Sequence, residues 1–174
     1  MFVPSGEAAP APRIDPEVLA RQAVDSMRLD GPAVASPRAA GTYVIGMPMW
    51  MWVDRTPSTF GPVSASASAS AVTVTATARV TSVRWDMGDG TTITCAGPGT
   101  PYTPDRGKSM SPDCGHRYEQ VSDVGPDQRY KGKATSTWTV EWEAPALGDS
   151  GTLTETRETP FTVHVVEVQV LNVP

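Results

Sequence analysis

Residues 63–95 decide how this chain folds, and they read VSASASASAVTVTATARVTSVRWDMGDGTTITC. Small or apolar residues alternate with polar ones, which is the period-two pattern of a strand with one buried face. The parity of the alternation changes near Ser70-Ala71, so a turn is expected there. Gly88-Asp89-Gly90 marks a second tight turn. The stretch predicts two hairpins, with a flexible Ser/Ala linker as the alternative for its first part.

Two later segments continue the β pattern. Residues 129–143 predict the most regular strand, with one apolar face made by Tyr130, Ala134, Trp138, Val140 and Trp142. Residues 152–158 predict a polar strand, and residues 161–171 a last strand whose parity change indicates a bulge near Val165-Val166. About seven strands at hairpin spacing predict an all-β, antiparallel β-sandwich.

The N-terminal part has a different pattern. Residues 1–14 are predicted to be a disordered leader, since they lack the charged and apolar regions of a signal peptide. Asp15-Pro16-Glu17 predicts the start of a helix over residues 16–28, followed by a linker to residue 41. The sandwich domain is then residues 42–171.

The helix has an apolar stripe, and residues 47–53 are apolar on both faces. We expect Leu19, Ala23 and Met27 to cover one face of this segment, which contains Trp50 and Trp52. If they do not, the segment is an exposed apolar patch that binds a partner or a glycan.

Composition excludes several function classes. The chain has 174 residues, a net charge of −5, two His and two Cys. Its acidic balance argues against nucleic-acid binding, and no apolar run is long enough to span a membrane. Gly107-Lys108-Ser109 lacks the earlier glycine and the following helix of a phosphate loop, so nucleotide binding is not expected. No cofactor is expected.

The motif WDMGDGT at residues 85–91 resembles the WDFGDGT signature of PKD domains, and Gly115-His116-Arg117-Tyr118 resembles the downstream H-x-Y of that family. The resemblance implies an immunoglobulin-like sandwich that is usually extracellular and non-catalytic. In this motif Trp85, Asp86, Gly88, Asp89, Gly90, His116 and Tyr118 have structural roles. The chain is also similar to bacterial envelope proteins of this fold, around residues 95–102 and 111–118.

Cys95 and Cys114 lie at the two ends of a loop of about twenty residues. In a sandwich their Cα atoms come close, so we expect a disulfide and an oxidising compartment. Two reduced thiols are one alternative. Another is a zinc site made by Cys95, Cys114, His116 and Asp113, although this spacing does not match a structural zinc module.

Asp86 and Asp89 are weak candidates for a Ca²⁺ site, because two carboxylates fall short of six oxygen ligands. No metal is therefore expected. Instead, Asp89 is expected to fit a positive-φ position of the turn, and Asp86 to hydrogen-bond nearby backbone. A small hydrolase using His116 with Asp89 or Asp113 is the least favoured alternative, since no residue is assigned to orient a catalytic His. His164 is predicted to lie on the surface.

The sequence therefore favours a non-catalytic, extracytoplasmic PKD-like module of the cell envelope. Its expected partner is a protein or a cell-wall polymer, bound through residues 96–113 or through the segment with Trp50 and Trp52. The alternative is a carbohydrate-binding domain with Tyr102 as the exposed aromatic residue.

Overall fold

A computed structural model describes residues 13–122 and 126–168 of the chain. These residues form one α-helix, α1 (Pro16–Asp25), and ten strands. The strands are β1 (Ala33–Ser36), β2 (Thr42–Val44), β3 (Met49–Trp50), β4 (Trp52–Asp54), β5 (Val63–Ala69), β6 (Val72–Asp86), β7 (Thr92–Cys95), β8 (Gly115–His116), β9 (Tyr130–Ala144) and β10 (Asp149–Val166). Short 3₁₀ turns occur at Pro104–Arg106, Pro126–Gln128 and Pro145–Leu147. The prediction of a mainly β chain with an N-terminal helix is confirmed.

One curled, six-stranded sheet dominates the fold. Its strands follow the order β2-β10-β9-β6-β5, and β7 pairs with the far end of β6. All of these pairings are antiparallel except β2 with β10, which is parallel. Two small antiparallel sheets, β1-β4 and β3-β8, complete the strand pairings of the described residues. The antiparallel prediction therefore fails at one edge strand.

Both predicted hairpins are present. Ser70 forms the turn between β5 and β6 with a φ of 53°, and the register pairs Ala69 with Val72. Gly88, with a φ of 80°, begins the turn between β6 and β7. A side chain at Gly88 would collide with the carbonyl of Lys131 on β9, so glycine is required there for conformation and for space. The flexible-linker alternative for residues 63–71 is wrong.

The inner face of the main sheet forms the core. Alternate residues of β6 and β9 are buried, among them Trp85, Trp138 and Trp142, as the alternation predicted. The opposite face carries rows of hydroxyl groups, and three Ser–Thr pairs bridge β5 and β6. Burial on one side and hydration on the other explain why Val, Ala and Trp alternate with Thr and Ser.

Helix α1 begins where the sequence predicts. The Asp15 side chain accepts a hydrogen bond from the Glu17 N–H, and Pro16 occupies the first turn. The helix ends at Asp25, three residues before the predicted Arg28, because Ser26 caps it by bonding to carbonyls of the last turn. Leu19, Ala20, Ala23 and Val24 are buried.

The predicted docking position of α1 is wrong. The helix packs mainly on β5 and β6 rather than on β3 and β4. The Ala side chains of β5 and the Ala and Val side chains of β6 are short, so a helix with its own Ala residues can approach this part of the sheet closely. Residues 47–53 instead contact the loop that follows β7, which is described below.

Three further details differ from the predictions. The predicted linker contains β1, which pairs with β4. β10 is continuous from Asp149 to Val166, without a bulge at Val165-Val166, and the register shift lies instead between Val80 and Ser82 of β6. His164, predicted at the surface, is half-buried. Residues 1–12 of the predicted leader and residues 169–171 of the predicted last strand lie outside the described residues, whereas Ile14, the last residue of the predicted leader, packs against the core.

None of the helices in the described ranges has the length and apolar character that crossing a lipid bilayer requires. The immunoglobulin-like sandwich remains a prediction. The inner face of the main sheet is covered by α1 and by residues of the small sheets, which share one core cluster with it.

Candidate binding cleft

The predicted disulfide between Cys95 and Cys114 is present, with a Cα–Cα distance of 5.7 Å. Cys95 ends β7, and Cys114 directly precedes β8, so the bond closes a loop that we call the disulfide loop (residues 96–113). Both cysteines are buried. Because each sulfur is bonded to the other, neither can serve as the thiolate of a zinc site, and the zinc and free-thiol alternatives are wrong.

The disulfide loop is fastened to β3 and β4 along its length. The Trp50 indole N–H donates to the carbonyl of Ser109 at 2.8 Å, and the Met51 and Val53 N–H groups donate to the carbonyls of Cys114 and Pro98. The backbone N–H groups of residues 51 and 53 are therefore both used in hydrogen bonds. The loop is therefore a fixed wall beside this segment.

Gly99 permits this close approach. It has a φ of 86°, and a Cβ atom there would overlap the carbonyl oxygen of Met51. Only glycine tolerates both the backbone conformation and the short distance to β3 and β4. Within the loop, Tyr102 donates its hydroxyl to the carbonyl of Gly107 at 2.9 Å, which closes the tip around the 3₁₀ turn.

A cleft of about 570 Å³ lies between this tip and the segment from β1 to β4. Four aromatic residues line it: Tyr43, Trp50, Trp52 and Tyr102. Met47, Pro48, Met49 and Pro104 add apolar surface, and Arg38 and Lys108 supply the charges. Clefts with apolar walls and a few polar groups are the usual form of ligand sites.

The three predicted surface residues meet in this cleft, but they are not equally accessible. Trp50 is only 3% exposed, because the ring edge of Tyr102 packs against it at 5.4 Å and the Arg106 guanidinium lies 5.9 Å from its centroid. The prediction that Trp50 is either covered by α1 or exposed is therefore wrong. Trp52 is half-buried and Tyr102 is 40% exposed, so these two present ring surface to a ligand.

The two halves of the predicted motif also meet. Trp85 is buried beneath the hairpin, and Gly88 and Gly90 both have positive φ. Asp86 accepts a hydrogen bond from the Gly88 N–H, and Asp89 accepts one from the Thr91 N–H. Both carboxylates therefore bond to the turn backbone, but Asp89 does not have the expected positive φ, which Gly88 and Gly90 adopt instead.

His116 joins this hairpin to β8. Its Nε2 lies 2.7 Å from Oδ2 of Asp89, and its ring stands edge-on to Tyr118. Burial acts to raise the pKa of Asp89, but hydrogen bonds from Thr91 and His116 outweigh it and hold this pKa below its ordinary value of 3.8. The charged carboxylate is the form that these contacts favour.

Tyr118 completes the connection. Its hydroxyl donates to the carbonyl of Met87 at 2.7 Å, and its ring stacks on Tyr130. Burial raises the pKa of Tyr118 well above its ordinary value, since a phenolate would lie against buried core and near Asp89. The motif residues thus contact one another and the backbone of the β6–β7 turn.

The described residues hold no group of three or more His, Cys, Asp or Glu side chains arranged to bind a metal ion. In the Ser-His-Asp arrangement the carboxylate bonds to Nδ1 of the imidazole, whereas Asp89 contacts Nε2 of His116. In the part of the chain that the structure describes, no Ser, Thr or Cys side chain is hydrogen-bonded to His116. Asp113, the other predicted acid, bonds instead to Thr100 and Ser111.

Sequence reasoning missed Arg38, Tyr43 and Lys108 as cleft residues. Arg38 lies in the predicted linker, and β1 brings it to the cleft by pairing with β4. The Tyr43 hydroxyl accepts a hydrogen bond from the Arg38 N–H at 2.8 Å. No local motif marks the β1–β4 pairing or the bond between Arg38 and Tyr43. Lys108 was considered only as part of a phosphate loop.

Comparison of the chain with protein-family models, with curated proteins and with solved structures finds no match.

Proposed function

We propose that this chain is a non-catalytic, extracytoplasmic binding module of the bacterial cell envelope, with a PKD-like fold. Its binding site is the cleft between the disulfide loop and the segment from β1 to β4. The observation that carries the proposal is the meeting of Trp52 and Tyr102, both with accessible ring surface, in one cleft of about 570 Å³. Rigid aromatic surface offers large contact area at a small entropic cost.

The way in which the loop is held supports a role in binding. A loop of this length is usually functional when it lacks regular structure, and this one is fastened at both ends and at its tip. A preorganised wall binds a ligand without the cost of ordering the loop first. Asp89 and His116 contact each other, the Thr91 N–H and the Tyr118 ring. We therefore assign this pair to stabilising the fold and not to catalysis.

Two observations support the compartment and the family. Disulfides persist in oxidising environments, and a loop-closing bond of this kind is typical of secreted domains. The WDMGDGT and H-x-Y residues, 27 positions apart at Asp89 and His116, contact each other as parts of one motif.

Binding to purified bacterial envelope fractions tests the proposed site. Wild-type protein and the variants Tyr102→Ala, Trp52→Ala and Tyr102→Phe are sedimented with isolated cell-wall material. We expect the two Ala variants to lose most of the binding, and Tyr102→Phe to keep it because the ring remains. Leu147→Ala is the matched control, since Leu147 is 47% exposed and lies at the distant β9–β10 turn.

Equal sedimentation of wild type and both Ala variants would overturn the proposal. Thermal unfolding of each variant is measured in parallel, so that loss of binding is not confused with loss of folding.

A further inference from the structure

The charged residues at the cleft are basic, although the whole molecule has a negative net charge. The chain carries a net charge of −5, yet the charged residues that line the cleft are Arg38 and Lys108, both basic. Asp105 is the acidic residue closest to Lys108 in the sequence. It does not line the cleft, and its side chain bonds to Thr103. A local positive potential attracts an anionic ligand to the cleft. The acidic surface of the rest of the protein repels the same ligand.

Both cations are available to a ligand. Arg38 and Lys108 are exposed, and within the described ranges neither lies at ion-pair distance from a carboxylate. Arg106, by contrast, is placed over the Trp50 ring. The two free cations flank an aromatic wall, which is an arrangement for a ligand that has both a flat apolar face and separate acidic groups.

The backbone beside the cleft argues against recognition of an extended peptide. A peptide that adds a strand needs free N–H and C=O groups at a sheet edge. Here the Met51 and Val53 N–H groups are bonded to the carbonyls of Cys114 and Pro98, and β4 pairs with β1. Recognition beside β4 must therefore use side chains: the rings of Trp52 and Tyr102, and the two cations.

We propose that the cleft binds an acidic polysaccharide, with sugar rings packed on Trp52 and Tyr102 and carboxylates paired with Arg38 and Lys108. This proposal rests on the proposed function and adds the ligand class. Two cations suit a polymer with carboxylates repeated along its length, whereas nucleic acid requires a larger basic surface. Guanidinium and ammonium groups both bind carboxylates well, and the guanidinium can do so with two parallel hydrogen bonds.

Calorimetric titration with uronate oligomers tests this class directly. The probes are oligogalacturonate, alginate oligomer and hyaluronan oligomer, each compared with its methyl-esterified form, which keeps the sugar rings but removes the charge. A polyglutamate peptide is the acidic non-sugar probe. We expect at least one acidic oligomer to bind about fivefold tighter than its ester, and this preference to shrink as NaCl rises from about 0.05 M to about 0.5 M.

The variants separate the charge from the rings. The double change Arg38→Gln with Lys108→Gln should remove the preference for the acid, while Tyr102→Ala should weaken both the acid and the ester. Arg84→Gln is the matched control, because Arg84 is an exposed cation on the outer face of β6. It should bind like wild type.

Equal binding of acid and ester, with both dependent on Tyr102, would overturn the acidic class but leave the cleft as the site. Binding of polyglutamate as tight as that of every uronate would show that the ligand class is wrong. If none of the three acidic oligomers binds better than its ester, the proposal fails.

Discussion

The Nε2 atom of His116 lies 2.7 Å from Oδ2 of Asp89, although 27 residues separate the two positions. Asp89 sits in the turn between β6 and β7, and His116 ends β8, directly after the disulfide. The pair therefore closes the same loop as the Cys95–Cys114 bond, at a second point. The His116 side chain is 10% exposed and the Asp89 side chain is 17% exposed. Solvent therefore weakens their contact less than it weakens a surface ion pair.

Removal of this contact should destabilise the domain. We expect His116→Ala to lower the free energy of unfolding by about 1–2 kcal/mol, since Asp89 would keep its partly buried charge without this partner. Denaturant unfolding measures the change. Arg21→Ala is the control, because the Arg21–Glu17 pair on α1 is at least half exposed and should contribute less than about 0.5 kcal/mol. Equal effects of the two changes would contradict this role for His116.

The lowered pKa of Asp89 predicts a dependence of stability on acid. The folded-state pKa lies below the ordinary value of 3.8, so the stabilisation is complete above that value and is lost as pH falls through the native pKa. Asp89→Asn should therefore lower the thermal midpoint near neutral pH, and its difference from wild type should shrink below about pH 4. Thermal midpoints measured across this range test the expectation. A constant difference at every pH would count against it.

Helix α1 should be part of the cooperative fold. Leu19 is 3% exposed in the core, whereas the adjacent Val18 is 50% exposed. Leu19→Asp should destabilise the domain by about 3 kcal/mol or more, because it places a charge against β5 and β6. Val18→Asp should change stability by less than about 0.5 kcal/mol. An unchanged thermal midpoint in Leu19→Asp would show that the helix does not contribute to the core.

The disulfide loop offers a matched pair of glycines. Gly99 has a positive φ and no room for a Cβ, whereas a Cβ at Gly97 would meet no atom within 4 Å. We expect Gly99→Ala to cost about 1–3 kcal/mol and to weaken binding at the cleft, and Gly97→Ala to be close to neutral. Calorimetric unfolding of both variants compares them. A neutral Gly99→Ala would mean that the loop does not need its close approach to Met51.

Local pattern in the sequence was sufficient for much of the fold. The parity change at Ser70-Ala71, the Gly88-Asp89-Gly90 turn and the alternation in residues 129–143 each depend on neighbours along the chain, and each appears as predicted. The disulfide followed from two cysteines at the ends of one loop. The cap at Asp15 is equally local.

Long-range pairing could not be derived in the same way. No local signal shows that α1 packs on the small side chains of β5 and β6, or that β2 adds in parallel to β10. Trp50 looks like a surface residue because its neighbours are apolar on both faces, yet the loop that covers it begins more than forty residues later. For the same reason Arg38 and Lys108 were missed as residues that line the cleft.

Ligands should bind between the disulfide loop and the segment from β1 to β4, and mapping of amide and indole NMR shifts tests this site most directly. Isotope-labelled protein is titrated with solubilised bacterial cell-wall polymer. We predict that the largest shifts cluster at Arg38, Trp52, Tyr102 and Lys108. Shifts confined to the hydroxyl-rich outer face, around Thr75, Thr77 and Thr152, would show that the cleft is not the binding site.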